Sequence, residues 1–464
     1  VPETEPDPSA PYYRAGELVP GNEEIHNPPS QYHMGGFQLM SISMFWLASN
    51  VQWTALLVIL LPKQLGEMTG DKQAQALGVI IGASAIFALI IPLLIGPISD
   101  RCLSRFGRRR PFMVVGVIVN VIGLAAMFLA SEQPSVAGFN GFGANFWWYF
   151  TGFCIVQVGS NISTGAYQGV IPDVVLPKQR GKASGYMGAM TQLGSALGIV
   201  LVAVIFRDNI PISYGIICGS LVLFLLWTAL TLKETSIERA PAWQGIGNFV
   251  KGLWISPKKF PDFAWVWITR FLVMFGFYTV QPFIRYYLRD VIRIPEKSLT
   301  MTQGEVFLII LFAAMITGLY GGVLSDKIGR KRIVYIANGM MAVGAVALVF
   351  CTNLMQALAV GVFFGLGYGA YISVDWALGT DVLPNQDADA GKDMGIWHVA
   401  MVLPQTLAAP VAGFLLAGHI IRTHVENGKT DFYYNQGGYM TIFSVAAVAL
   451  GLGAVLLRNV KKAR

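Results

Sequence analysis

The 464-residue chain is poor in charge. Asp, Glu, Lys and Arg make up 13% of it while 54% is hydrophobic; a soluble domain usually carries about 25% charged residues. An ordinary soluble fold is excluded, and the chain reads as an integral membrane protein. Alternating stretches of about ten residues, the mark of a membrane barrel, are missing too. The four cysteines, Cys102, Cys154, Cys218 and Cys351, show no metal-ligand spacing. Three of them sit in apolar runs, where cysteine acts as a small packing residue. The pattern G-x-x-x-x-G-K-[ST] does not occur, which argues against direct drive by ATP. No catalytic triad and no cofactor motif stands out, so neither an enzyme nor a cofactor is expected. No cleavable leader is visible ahead of the first apolar run.

What is present is a series of unbroken apolar runs of roughly 20 residues, long enough to cross a bilayer as helices. Twelve spans are expected near 37–61, 77–96, 112–130, 146–172, 184–206, 212–232, 263–288, 303–324, 333–351, 354–380, 393–418 and 438–457. Residues 1–35 are polar and rich in proline and acid, and read as a disordered cytoplasmic tail. Residues 36–232 and 263–458 form two groups of six spans. Between them, 233–262 reads as a cytoplasmic linker whose Trp243, Phe249 and Trp254 suit a helix lying in the membrane interface.

The net charge of +7 points to lipid rather than nucleic acid. Basic residues crowd the loops after spans 2, 4, 6 and 8 and the C-terminal tail, which places both termini in the cytoplasm. The richest loop is GPISDRCLSRFGRRRPF, Gly96 to Phe112. It recurs as GGVLSDKIGRKR, Gly321 to Arg332. A second repeat follows spans 4 and 10: Asp173 matches Asp381, Pro177 matches Pro384, Gly181-Lys182 matches Gly391-Lys392, and Gly185 matches Gly395. Two copies of one loop imply two copies of one bundle. The expected fold is an all-α membrane protein of twelve transmembrane helices in two pseudo-symmetric halves, an architecture of transporters.

These doubled G-x-x-S-D-R/K…G-R-R/K loops resemble the signature of the major facilitator superfamily. The resemblance runs from about residue 36 to 457. The longer first copy, with SNVQWTALLVILLP, NISTGAYQGVIPD and RFLVMFGFYTVQPFIRYYLRDV, resembles the sucrose and glycoside:cation symporter branch. The resemblance implies alternating access, with spans 1, 4, 7 and 10 lining the cavity. One departure bears on coupling. The plant-type sucrose/proton symporters carry an acid and an arginine in span 4 at positions that align with Gln157 and Gln168, both neutral here.

Ionisable residues inside spans are costly and seldom idle. Arg270 in span 7 and Asp375 in span 10 lie at matched depth, which suggests an ion pair. It reads either as a gate and protonation site or as a permanent buried pair. His398, in span 11, is of the residue type whose unperturbed pKa suits a proton carrier, but a lone histidine is more often hydrogen-bonded packing. In the loops, Asp100, Arg101, Arg108 and Arg109, with Asp326 and Arg330 in the second copy, read as a charge cluster that holds the inner face shut, or as topology signals alone. A sugar site needs hydrogen-bonding groups and flat aromatic faces. The middle thirds of spans 1, 4, 7 and 10 offer Asn50, Gln52 and Trp53, then Gln157 and Asn161, then Tyr278 and Gln281, then Tyr368, Tyr371 and Trp376. Interhelical packing is the competing reading for each.

The expected function is a secondary active transporter of a small polar solute, a sugar or glycoside, coupled to a proton or another cation with Asp375 as carrier. It would work as a monomer, in a bacterial cytoplasmic membrane. A proton-coupled exporter of drug-like molecules and a non-transporting membrane sensor stay open. GAMTQLGSALG in span 5 lacks the Gly-Pro pair usual in such exporters, and the intact doubled loops argue against a sensor.

Overall fold

The computed structural model describes residues 33–133, 142–176, 179–207, 209–234, 255–382, 390–424 and 430–461. Nearly all of the tail and the linker's Trp243, Phe249 and Trp254 lie outside these residues, as do the side chains of Asp326, Trp376 and His398.

Twelve long helices carry the described chain. The first six are α1 Gly36–Thr54, α2 Gln73–Asp100, α3 Arg110–Ser131, α4 Ala144–Tyr167, α5 Arg180–Ile199 and α6 Ile210–Thr231. The second six are α7 Pro261–Val280, α8 Glu296–Ile328, α9 Arg330–Phe350, α10 Leu354–Asp381, α11 Ala390–Ala417 and α12 Gln436–Leu456. Ten stretches of the described chain are long and apolar enough to cross a membrane. The first, Gly36–Asp100, contains both α1 and α2, parted at Gly70 with φ +52, a conformation that favours glycine. Helix α4 is not among the ten; its Trp, Tyr, Asn, Gln and Ser residues dilute the apolar run.

Several helices outrun the apolar segments expected for them. Helix α8 begins at Glu296 rather than near 303, because backbone hydrogen bonding continues past the edge of the hydrocarbon-compatible stretch. Helix α1 continues through a π-helical stretch, Ala55–Leu60, into Leu61–Thr69, and α5 ends in another, Val200–Ile205. The first stretch lies against the other half, where the carbonyl of Val58 accepts a hydrogen bond from Gln303 Nε2 of α8. Helix α7 is interrupted at Gln281–Phe283, around Pro282, and resumes as Ile284–Asp290. Between α11 and α12 lies an antiparallel hairpin, β1 Ile420–His424 and β2 Thr430–Tyr434, which the reading of the sequence did not foresee.

The packing repeats every six helices. In the first half α1 packs on α5 and α6, α2 on α4, and α3 on α4 and α6; in the second, α7 packs on α11 and α12, α8 on α10, and α9 on α10 and α12. The halves meet through α2 on α11 and α5 on α8, two contacts that exchange under the same six-helix shift. The repeated loops match even in backbone detail: Gly107 has φ +99 and Gly329 has φ +100.

The halves do not touch evenly. At the end remote from the arginine loops, a Cβ added to Gly78 would lie 2.8 Å from the carbonyl of Ala409, and one on Gly304 would lie 2.6 Å from the Cβ of Ala203. At the loop end, Cβ atoms added to Gly185 or Gly188 of α5 would meet nothing within 4 Å. Among the described residues, the halves are therefore in close contact far from the loops and stand apart beside the loop end of α5.

Candidate transport site

Arg270 and Asp375 face each other from α7 and α10. Arg270 Nη1 stands 3.0 Å from Asp375 Oδ2, with the two side chains 1% and 2% exposed. Tyr371, one turn before Asp375 on the same face, donates its hydroxyl to Oδ1 at 2.8 Å. The guanidinium lies over the Trp397 ring of α11, 4.4 Å from its centroid, and an Nη2 contact reaches Met401 sulfur at 3.7 Å. Trp397 is held in turn against Gly379, where any Cβ would sit 2.6 Å from the indole. Removing one partner of a buried pair costs roughly 3–5 kcal/mol. A desolvated cation over an aromatic face gains about 2 kcal/mol, so the indole supports the cation without replacing the carboxylate.

This pair matters because of what surrounds it. The interiors of α1 to α6 contain no Asp, Glu, Lys, Arg or His at all. Their polar groups are amides and hydroxyls. Gln52 of α1 and Asn120 of α3 bond reciprocally, Gln52 Nε2 to Asn120 Oδ1 at 3.1 Å and Asn120 Nδ2 to Gln52 Oε1 at 2.8 Å. Gln52 is fully buried, so its amide is spent on helix packing rather than presented to a solute.

The other named residues are placed differently. Asn50 is half-buried and spends Nδ2 on the Trp46 carbonyl at 2.8 Å. Trp53 is half-buried, edge-on to Phe153 at 6.3 Å. Gln157 accepts from Asn161 Nδ2 at 3.1 Å and reaches Ser84 Oγ at 3.5 Å. Tyr278 and Gln281 are half-buried on α7 and at its interruption. Tyr368 stacks on Phe277 at 4.4 Å with 12° between ring planes. The structure thus brings Tyr278, Tyr368, Tyr371, Asp375 and Arg270 together in the second half. Phe277 and Trp397 lie with these residues, and nothing in the sequence marks them beyond their place in apolar runs; Asn120 stands apart from them in the first half.

At the loop end a second cluster ties the first half together. Arg109 bonds Asp173 through Nε at 2.8 Å and also pairs with Asp100 and Ser99. Arg108 Nε reaches the same Asp173 oxygen at 3.0 Å. Glu234, just beyond α6, accepts from the backbone N–H of Arg109 at 2.8 Å and of Arg110 at 3.4 Å, capping the start of α3. Burial opposes the charge on Arg109, yet Asp173 and Asp100 outweigh it and hold the guanidinium above its usual range. Arg101 turns back to the Pro97 carbonyl at 2.8 Å. Arg330 opens α9 behind Gly329. Asp173 is marked in the sequence by its repeat partner Asp381; Glu234 carries no such mark, standing alone at the edge of the linker.

Two pseudo-symmetric six-helix halves, the second holding a buried charge pair, are an architecture of transporters. Residues 39–390 and 266–463 match the model of the Major Facilitator Superfamily, and the chain belongs to that superfamily: it is an integral membrane transporter. It is 25% identical over 433 residues to the sucrose transport protein SUT2 of Oryza sativa subsp. indica, a match covering 79% of this chain and 82% of that protein. It is 28% identical over 157 residues to the proton-associated sugar transporter A of Homo sapiens, covering 33% of this chain and 21% of that protein. Its fold is similar to the nucleoside transporter NupG, with a TM-score of 0.65 at 14% identity over 92% of this chain and 99% of that one.

Proposed function

We propose that the chain carries a neutral, hydroxyl-rich solute, a sugar or glycoside, by alternating access, and that Asp375 takes up the coupling proton. The observation that carries this reading is the confinement of interior charge. In a bundle whose first half holds only amides and hydroxyls inside, Arg270 and Asp375 form a pair of no net charge. The spans of the first half offer a solute amides and hydroxyls rather than ionised groups, and amides, which donate and accept at once, suit hydroxyls. The stacked Phe277 and Tyr368 supply an apolar face for a sugar ring. The sugar-transporting relatives support the same choice.

In this reading a proton from the aqueous side binds an Asp375 oxygen, the contact with Arg270 loosens, and the proton leaves on the other side with the solute. Arg270 stays charged throughout. We also infer that the loop end, with its arginines, faces the cytoplasm of a bacterial cell, so that this conformation is open inward. Uptake of a panel of radiolabelled sugars into proteoliposomes, with and without an imposed pH gradient, tests the proposal. Gradient-stimulated accumulation of at least one sugar is expected. Efflux of amphipathic cations with no sugar uptake would favour the exporter instead.

A further inference from the structure

The seal at the far end contains a part that the six-helix repeat does not explain. Strand β2 belongs to the second half, yet it lies against the first turn of α2 in the first half. Tyr434, 2% exposed, accepts a hydrogen bond through its phenol oxygen from the Ala74 N–H at 3.1 Å. That amide is among the donors a helix start leaves without an internal partner. Beside it, Gln73 Nε2 donates to the Phe432 carbonyl at 3.4 Å. Arg289, near the end of the α7 extension, bridges the two halves: Nη1 reaches Gln73 Oε1 at 3.2 Å and Nη2 reaches the Phe432 carbonyl at 3.0 Å. The ring of Phe432 sits over Gly70, where an added Cβ would approach it to 3.1 Å.

A separate set of bonds fastens β2 to its own half. Asp290 accepts from the Tyr434 N–H at 3.0 Å and from the Tyr439 hydroxyl at 2.7 Å, and pairs with Arg289 Nε at 2.6 Å. The Arg289 guanidinium also lies 5.5 Å from the Tyr286 ring centroid and 5.4 Å from that of Tyr433. The strand is thus anchored on one side by bonds that any rigid movement of the second half would preserve. On the other side it is held by Tyr434–Ala74, Gln73–Phe432 and Arg289–Gln73, which such a movement must break.

We propose that β2 is a latch on the far end of the transporter, and that these three cross-half bonds set the balance between the inward-open form and one open on the far side. The line of parting runs along the first turn of α2. Burial pushes the Tyr434 phenol up to about 12, so the latch stays a neutral hydroxyl at working pH and does not itself sense protons. The proposal requires two halves that rock, as the proposed function does, but not a sugar substrate, and its test uses no solute.

In proteoliposomes, a variant with Cys102, Cys154, Cys218 and Cys351 replaced by serine receives one reporter cysteine. Gln303→Cys reports on the far-end seam between α8 and α1, and Gly188→Cys on the open loop end. Labelling with a maleimide is then compared with and without Tyr434→Phe or Arg289→Gln. Latch loss is expected to raise labelling at Gln303→Cys several-fold and to lower it at Gly188→Cys. A rise at Gln303→Cys with Gly188→Cys unchanged is a merely local loosening and also overturns the proposal. Unchanged labelling at both reporters, or a rise at both, overturns the proposal. Should either variant fail to fold, joining Gln73→Cys to Phe432→Cys with a reducible bis-thiol reagent decides the matter. Labelling at Gln303→Cys should then fall and recover on reduction, and labelling indifferent to the cross-link overturns the latch.

Discussion

Asp375 of α10 and Arg270 of α7 meet at 3.0 Å with almost no exposure of either side chain. A pair so deeply buried is expected to show strong coupling between its members. Asp375→Ala leaves a buried guanidinium without its carboxylate, which costs roughly 3–5 kcal/mol. Arg270→Leu in the same protein removes the stranded charge and should recover most of that loss. Thermal unfolding of the two single variants and the double variant forms the cycle. Additive losses would show that the pair is not coupled.

The transport consequence is separate. Asp375→Asn keeps the shape and one acceptor for Tyr371 but cannot cycle a proton. Under the proposed proton coupling, its expected behaviour is exchange of the proposed sugar at near wild-type rate, with accumulation driven by a pH gradient abolished. Counterflow and gradient-driven uptake in the same proteoliposomes distinguish the two. Retained accumulation would remove Asp375 from the coupling step.

How much of this was legible in the sequence depends on the kind of force involved. The arginine loops were legible because charge cannot rest in hydrocarbon, and their repetition declared the two halves. The pairing of Arg270 with Asp375 was visible as matched depth, since rise per residue converts position into distance. The Gln52–Asn120 bond was not visible. Helices α1 and α3 are apolar on nearly every face, so no periodicity fixes which way a lone amide turns. Glu234 was missed because helix capping from a distant segment leaves no local pattern. The hairpin carries a legible signal in Asn427-Gly428, but it is one short polar run among apolar spans whose pattern dominates the chain.

Gln52 and Asn120 supply a direct contrast with the solute site. Gln52→Leu alone strands the Asn120 amide in an apolar interior and should cost about 1–3 kcal/mol, whereas adding Asn120→Leu should restore much of it. Melting temperatures give the first comparison. Because the pair is spent on packing, the KM for the proposed sugar substrate in the double variant is expected to stay within about twofold of wild type. A much larger rise in KM with stability intact would return Gln52 to the binding surface.

Two glycines of the first half, one in the seam between α3 and α4 and one at the loop end of α5, should respond oppositely to one methyl group. A Cβ on Gly159 would lie 2.3 Å from the Asn120 nitrogen and 2.6 Å from the Gly116 carbonyl, while one on Gly185 meets nothing within 4 Å. Gly159→Ala must part α3 from α4, at a cost of about 1–3 kcal/mol. Gly185→Ala gains helix propensity of up to about 1 kcal/mol. A lowered melting temperature for the first and an unchanged or raised one for the second are expected. Equal effects would mean that α5 is packed at its loop end.

Glu234 gives the pH-dependent case. Burial raises its carboxyl from the ordinary value of 4.5; the backbone N–H groups of Arg109 and Arg110 and the charge of Arg109 pull it down, and Asp173 adds to the rise. The folded chain therefore holds the proton more tightly than the unfolded one. Stability contributed by this group is complete below 4.5 and declines as pH rises through the raised value. Glu234→Gln keeps an oxygen to accept from the Arg109 N–H but has no proton to lose. Melting temperatures measured from about pH 4 to 8 should fall less steeply for the variant than for the wild type across that window. Glu234→Ala, which also removes the cap on α3, should be destabilised by about 0.5–2 kcal/mol at every pH. A Glu234→Gln curve parallel to the wild type would show that the carboxyl titrates alike in both states, and that another group carries the pH dependence of this end of the bundle.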